Sequence, residues 1–420
     1  MNTPATEHLP GAVGSRPLPR GWRSVRLSDV CEESIPTRDP RDSPTDSFRY
    51  VDITSVSNVS KRIVSPKTVL GKDAPSRARQ VIRTGDVLVA TTRPNLNAVA
   101  LVPTELDGEI ASTGFCVLRA KSGLNPRYLF GFVQTGKTVR NLSELVKGAL
   151  YPAVTDAQVR AQWLPLPELS EQQRIVDVLA EQMVGVKRAR VAAEAQLEAA
   201  KALPATYLRD VFCGAEAKRW PRVPLGNVGE IMSGITLGRR LPEEKLRTVA
   251  YLRVANVKDA YLDLSDVYTI EATDTEIERL RLRDGDLLLT EGGDPDKLGR
   301  GACWRGEIAE CIHQNHIFRV RFDPKQVLPG FVSAQVASQH GKAYFLANAK
   351  QTTGIATINQ RVLAAFPLML PGLEVQGRVV ATLSDCVERA GRARKQAEEQ
   401  MAAINALPAS LLRRAFSGDL

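Results

Sequence analysis

Ala202-Leu203-Pro204-Ala205-Thr206-Tyr207-Leu208-Arg209-Asp210-Val211-Phe212-Cys213-Gly214 returns late in the chain as Ala406-Leu407-Pro408-Ala409-Ser410-Leu411-Leu412-Arg413-Arg414-Ala415-Phe416-Ser417-Gly418. Leu203 and Leu407 stand 204 residues apart, and Arg174 and Arg378 share that offset. A common register held over two stretches, about 169–214 and 373–418, is a duplication. Each copy begins just after a proline, Pro167 or Pro371, and is rich in Ala, Glu, Gln and Arg.

The period of both copies is helical. Apolar residues fall at Ile175, Val178, Leu179, Met183, Val186, Ala189, Ala193, Leu197, Ala200 and Leu203, then at Val379, Leu383, Val387, Ala390, Ala393 or Ala397, Met401, Ile404 and Leu407. Steps of three and four make one narrow, Ala-rich seam, as in a close helix pair. Ser170 followed by Gln173 predicts a capping box at the first start, which the second copy lacks. Pro204 and Pro408 are expected to end or kink each helix, because proline has no N–H and clashes with the preceding turn. The stretch before each proline then forms a rod of about 50 Å. The seam residues Ile175, Leu179, Leu197, Val379, Leu383 and Met401 are expected to form the partner interface.

A chain of 420 residues suggests two or three domains, and 43% hydrophobic residues suffice for packed cores. No apolar run approaches the roughly 18 residues of a membrane span. Residues 1–20, rich in Pro, Gly, Thr and Ser, read as a loose tail rather than a signal peptide. Six cysteines without framework spacing fit a reducing, cytoplasmic setting. The formal charge of +9 permits a polyanionic partner.

The duplication reaches beyond the rods. Gly21-Trp22 to Val30 answers to Arg219-Trp220 to Val228, and Tyr50-Val51-Asp52-Ile53 to Tyr251-Leu252-Arg253-Val254. Ile82-Arg83-Thr84-Gly85-Asp86-Val87-Leu88-Val89 answers to Leu282-Arg283-Asp284-Gly285-Asp286-Leu287-Leu288-Leu289, each a Gly-Asp turn feeding a β-rich run. The fold class is therefore α+β, with a pseudo-twofold internal repeat of domain, rod, domain, rod. The boundaries fall at 21–167, 168–214, 215–371 and 372–420, with the two long helices antiparallel.

With these residues in view, the chain from Trp22 to Leu420 resembles a specificity subunit of a type I restriction–modification system. The carriers are Gly21-Trp22…Leu27-Ser28-Asp29-Val30, the run Leu164-Pro165-Leu166-Pro167-Glu168-Leu169-Ser170-Glu171-Gln172-Gln173-Arg174-Ile175, and the Leu-Pro…Phe-x-Gly rod endings. Residues 111–119 and 312–320 also resemble core strands of that family. The resemblance implies two target-recognition domains, each reading half of a split double-stranded DNA site. It also implies a subunit without chemistry of its own or a cofactor. Methyltransferase subunits, two of them, dock on it and bring S-adenosylmethionine; restriction, or translocase, subunits can join them. In the second repeat Glu374-Val375-Gln376-Gly377 departs from Ser170-Glu171-Gln172-Gln173. A coiled-coil scaffold for proteins, without DNA specificity, is the competing reading.

Residue chemistry agrees in excluding catalysis. Asn125-Pro126-Arg127-Tyr128 has Arg where a base-flipping adenine methyltransferase loop needs a second proline, so it reads as a helix cap. Cys303, Cys311, His313 and His316 have no Cys-x2-Cys spacing, and His313 and His316 fall on one predicted strand with opposite faces, so core packing is the reading for the cysteines and no metal is expected. The nucleic-acid candidates are polar loops after the Gly-Asp strands. Arg93, Asn95 and Asn97 can contact guanine and adenine edges, and Lys297 and Arg300 sit at the matching place. Lys147 and Tyr151, with Thr352 and Thr353, make a second matched pair of loops. Lys187-Arg188-Arg190 and Arg392-Arg394-Lys395 place like charges near each rod's middle, where they must point apart or meet an anion.

Overall fold

A computed structural model describes residues 17–146, 152–240, 245–294, 298–352 and 354–420. The chain divides into two compact units: residues up to Ala193 together with Glu399–Leu420, and Glu194–Glu398. No helix among the described residues is long and apolar enough to cross a membrane.

In the first unit, Lys67–Leu70, Ser47–Val51, Ile110–Ser112 and Ala78–Val81 form a four-stranded sheet in that order. A second, antiparallel sheet runs Phe115–Leu118, Val87–Ala90, Val99–Leu101. Val87–Ala90 is buried on both faces, which is why it reads as an unbroken apolar run rather than an alternating one. Val87 and Val89 pack into a core shared with the helix Pro126–Phe132, while Leu88 and Ala90 enter a second core with Val51, Ile82 and Phe115. The second unit repeats the plan. Leu287 and Leu289 face one core and Leu288 another, on a strand paired with Ile317–Phe322 and Gly301–Cys303.

Each Gly-Asp turn has a defined chemistry. Gly85 and Gly285 have φ of +87° and +86°, a region that glycine enters without a Cβ penalty. The Asp86 carboxylate accepts the Arg83 N–H at 2.8 Å and the Arg119 guanidinium at 2.8 and 2.7 Å. Asp286 accepts Arg283 N–H and the Arg321 guanidinium, each at 2.7 Å. Both carboxylates are buried, so each turn is closed by a bidentate ion pair shielded from solvent.

The rods span Leu169–Cys213 and Leu373–Ser417, 45 residues each, and each contains its proline. The expectation that Pro204 and Pro408 end the helices is thus corrected as to an end, and each rod extends to about 67 Å. Residues beyond the prolines carry the reason. Phe212 is buried beside Phe331 and Trp220, at 5.6 and 6.3 Å, and Phe416 packs on Tyr128 and Phe132, at 4.8 and 5.7 Å. That burial offsets the roughly 3 kcal/mol that an internal proline costs. Buried positions in the second rod recur at Ala390, Ala397, Ile404 and Leu411, the seven-residue step of a coiled-coil seam.

Ser170 lies inside the first rod and is not its cap. The start is held instead by Gln172, fully buried. Its Oε1 accepts the Asn125 N–H at 2.8 Å, and its Nε2 donates to the Gly123 and Pro167 carbonyls at 3.0 and 2.9 Å. Gln376 does the same in the second unit, with Leu328 N–H, Gln326 O and Pro371 O. Within each unit the end of one rod lies beside the start of the other. Arg174 donates to Leu420 O at 2.9 Å in the first unit, and Tyr207 donates to Val379 O at 3.3 Å in the second. The segments are therefore antiparallel.

Phe212→Ala is expected to destabilise the second unit by about 3–5 kcal/mol, the range for emptying a buried aromatic site. Chemical denaturation followed by hydrogen exchange checks this, and a loss under about 1 kcal/mol would contradict the packing role.

Candidate nucleic-acid interface

In the first unit the strand Val87–Ala90 leaves its sheet into the loop 91–97 and returns at Val99. The loop's first residues pair with a segment sixty residues on. Arg93 N–H donates to Pro152 O at 2.8 Å, Val154 N–H donates to Thr91 O at 2.9 Å, and Thr92 bridges to Ala153. The loop 91–97 is thus tied at its start to the segment 152–154, which follows the second candidate loop in sequence. Lys147 and Tyr151 themselves lie outside the described residues. The helix Gly136–Glu144 lies beside the turn Pro94–Leu96 and adds exposed Lys137 and Arg140.

Arg93 and Asn97 flank that turn with φ of +49° and +47°. Asparagine enters this region easily; arginine does so at a cost, which is the kind of local strain that functional loops carry. Buried Pro94 anchors the turn, leaving Arg93 and Asn95 exposed and Asn97 half-buried. Three side chains suited to base edges or phosphates are thus presented on a short loop.

The second unit repeats the arrangement with other chemistry. Leu287–Thr290 runs into the loop 291–300, whose Gly292–Gly293 pairs with Ile355–Thr357, itself paired with Lys350–Thr352. Here the described parts of the two candidate loops share one small sheet. Arg300 is half-buried, and its carbonyl accepts Thr290 N–H at 2.9 Å. Lys297 and Thr353 lie outside the described residues, and of Thr352 only the backbone is described. Gly299, at φ +73°, is required there: a Cβ would meet the Phe345 ring at 2.7 Å. Glu291 opens this loop and pairs with exposed His316, so the second loop carries both signs of charge where the first is basic.

The other candidates fall elsewhere. Asn125 caps the helix Pro126–Phe132, its Oδ1 accepting Arg127 N–H at 2.9 Å, and Tyr128 is buried with its hydroxyl on Pro165 O. His313 ends one strand, fully buried, while His316 is exposed ahead of the next, so the single strand expected to hold both is corrected to two. Burial, and the charge of Arg319, lower the His313 pKa to about 4. Burial pushes the Cys303 and Cys311 thiols up to about 11 and about 12. Among the described residues no three potential metal ligands converge.

Of the seam residues, Ile175 and Leu179 pack into the first unit's own core and Val379 and Leu383 into the second's, while Leu197 and Met401 are half-buried. The apolar groups that the rods leave exposed include Met183 and Val387 of the seam, together with Val184 and Val191. In the second rod's basic cluster, Arg392 and Arg394 meet an anion on their own helix, Glu388 and Glu398, both at 3.6 Å.

Residues 19–182 match the family described as the type I restriction modification DNA specificity domain. The chain is 22% identical to the type I restriction enzyme StySPI specificity subunit of Salmonella potsdam, over 96% of this chain and 90% of that one. It is 24% identical to the EcoKI specificity subunit of Escherichia coli K12, covering 81% and 76%. Among solved structures, the HsdS subunit from Thermoanaerobacter tengcongensis is 31% identical with a TM-score of 0.70, covering 97% and 99%. A chain solved in work on complex assembly and conformational transition of the type I R-M system is also 31% identical, with a TM-score of 0.75 over 96% and 100%.

Proposed function

The chain belongs to the family of type I restriction–modification specificity subunits, and from that membership we propose that it reads a bipartite DNA site and recruits methyltransferase subunits, without catalysing a reaction itself. Residues 21–167 and 215–371 are the two target-recognition domains, each reading one half of the site. One observation carries the reading: in both halves of a duplicated chain, the polar loop that follows the Gly-Asp strand is tied by backbone pairing to a later segment, 152–154 in one and 355–357 in the other, yet its side chains differ. A shared scaffold with diverged loop chemistry is what reading two different half-sites requires. Bound S-adenosylmethionine belongs to the methyltransferase subunits, two of which dock on the rods, with restriction subunits joining them. Exposed Met183, Val184 and Val191 on the first rod and Val387 on the second supply apolar contact for them.

The test separates the two halves. Alanine at Arg93, Asn95 or Asn97 is expected to relax discrimination in one half-site only, and alanine at Lys297 or Arg300 in the other. Each lost base contact costs about 1–3 kcal/mol. Competition binding with base-substituted duplexes measures it. A uniform loss over all sequences would make these phosphate contacts instead, and binding with no sequence preference would favour the protein-scaffold reading.

A further inference from the structure

The turn 57–62 joins the short strands Val56–Ser57 and Arg62–Ile63 in the first unit and lays Lys61 against the loop 91–97. The Lys61 Nζ donates to the Asn97 carbonyl at 2.6 Å. Among the described residues no carboxylate lies within ion-pair distance of it. Burial lowers its pKa. An ammonium carries three N–H donors, and one is committed here. A partly buried cation without a counter-ion is unfavourable by itself, so a fold that keeps one leaves room for an anion.

The backbone singles out the same place. Non-glycine residues with positive φ among the described residues are Lys61, Arg93, Asn97 and Ala260. Three of them meet at this loop. The fourth, Ala260, lies in the corresponding, shorter turn of the second unit, where its N–H donates to Gly301 O at 2.9 Å. Both units therefore tie this turn to the far end of the candidate loop. Among the described residues, only the first brings an ammonium to the tie.

We propose that Lys61 is a positioning residue of the DNA complex: one N–H holds the Asn97 carbonyl while another takes a backbone phosphate, setting the register at which Arg93 and Asn95 meet the bases. This rests on the DNA-reading function proposed above and extends it to a residue outside both candidate loops. Among the described residues of the second unit, which has Ala260 in this turn, there is no equivalent contact, so the effect is expected in the first half-site.

The experiment uses the complex with its methyltransferase subunits, comparing wild type, Lys61→Asn and Lys61→Arg. Asparagine keeps the left-handed backbone accessible and removes the charge; arginine restores the charge if the fold is affected. Affinity is measured against salt on the cognate duplex and on duplexes altered in either half. Expected for Lys61→Asn is a slope of log affinity against log salt that is shallower by about 0.9, one phosphate. Discrimination should fall in the first half-site alone, and Lys61→Arg should recover the slope. An unchanged slope, whatever happens to affinity, overturns the phosphate contact and leaves Lys61 a loop tether. If the slope changes but the wild-type complex binds all duplexes alike, the phosphate contact stands and the sequence-reading function fails.

Discussion

Four residues inserted after Ala193 should lengthen the preferred DNA spacer by one or two base pairs and leave both half-sites unchanged. The first rod passes unbroken from one compact unit into the other, with the division falling at Ala193. Ala193 and Ala200, seven residues apart, are both buried. Four extra residues are close to one helical turn, so the seam stays roughly in phase while the helix grows by about 6 Å. At roughly 3.4 Å per step along a strand, that approaches two base pairs. Two extra residues turn the seam by about 200° and bring charged positions to the buried stripe, so assembly should be lost outright. Mapping methylated sites for both insertions gives the answer. A spacer untouched by the four-residue insertion, or a changed half-site, would mean that rod length does not set the spacing.

Removal of residues 399–420 should unfold the first unit while the second stays folded. The deleted segment supplies buried Ile404, Leu411 and Ala415, together with Phe416 against Tyr128 and Phe132. Losing one buried aliphatic side chain costs about 2–5 kcal/mol, and a domain's stability is about 5–15 kcal/mol, so the sum exceeds what the unit can spare. Limited proteolysis with mass mapping should cut throughout 17–193 and spare 194–398. Equal protection of both units would contradict their assignment as separate compact bodies.

How far the sequence could be read followed from how local each interaction is. The rods declared themselves because a duplicated register and a seam of period three and four need no partner to be seen. An end at their prolines was the wrong alternative because the local penalty is visible in sequence, whereas the aromatic packing of Phe212 and Phe416 beyond them is tertiary. Ser170 suggested a local cap, but the work falls to Gln172, whose Gly123 acceptor lies 49 positions away. Periodicity likewise identified Ile175 and Val379 as facing something apolar without revealing that each unit's own core covers them. The loop 91–97 was legible from its Arg and Asn content next to a Gly-Asp strand. Lys61, 36 positions from Asn97, was not, since nothing near it in sequence sets it apart.

The division of the rods between units also fixes the order in which the protein can mature during translation. The second unit is one continuous stretch, 194–398, and has all its residues as soon as that stretch leaves the ribosome. The first unit, although synthesised earlier, must wait with its surface for Ala415 and Phe416 uncovered until the last residues emerge. The half made first is thus the half finished last. Over that interval, exposed Tyr128, Leu129 and Phe132 are the place where a chaperone would be expected to bind the nascent chain.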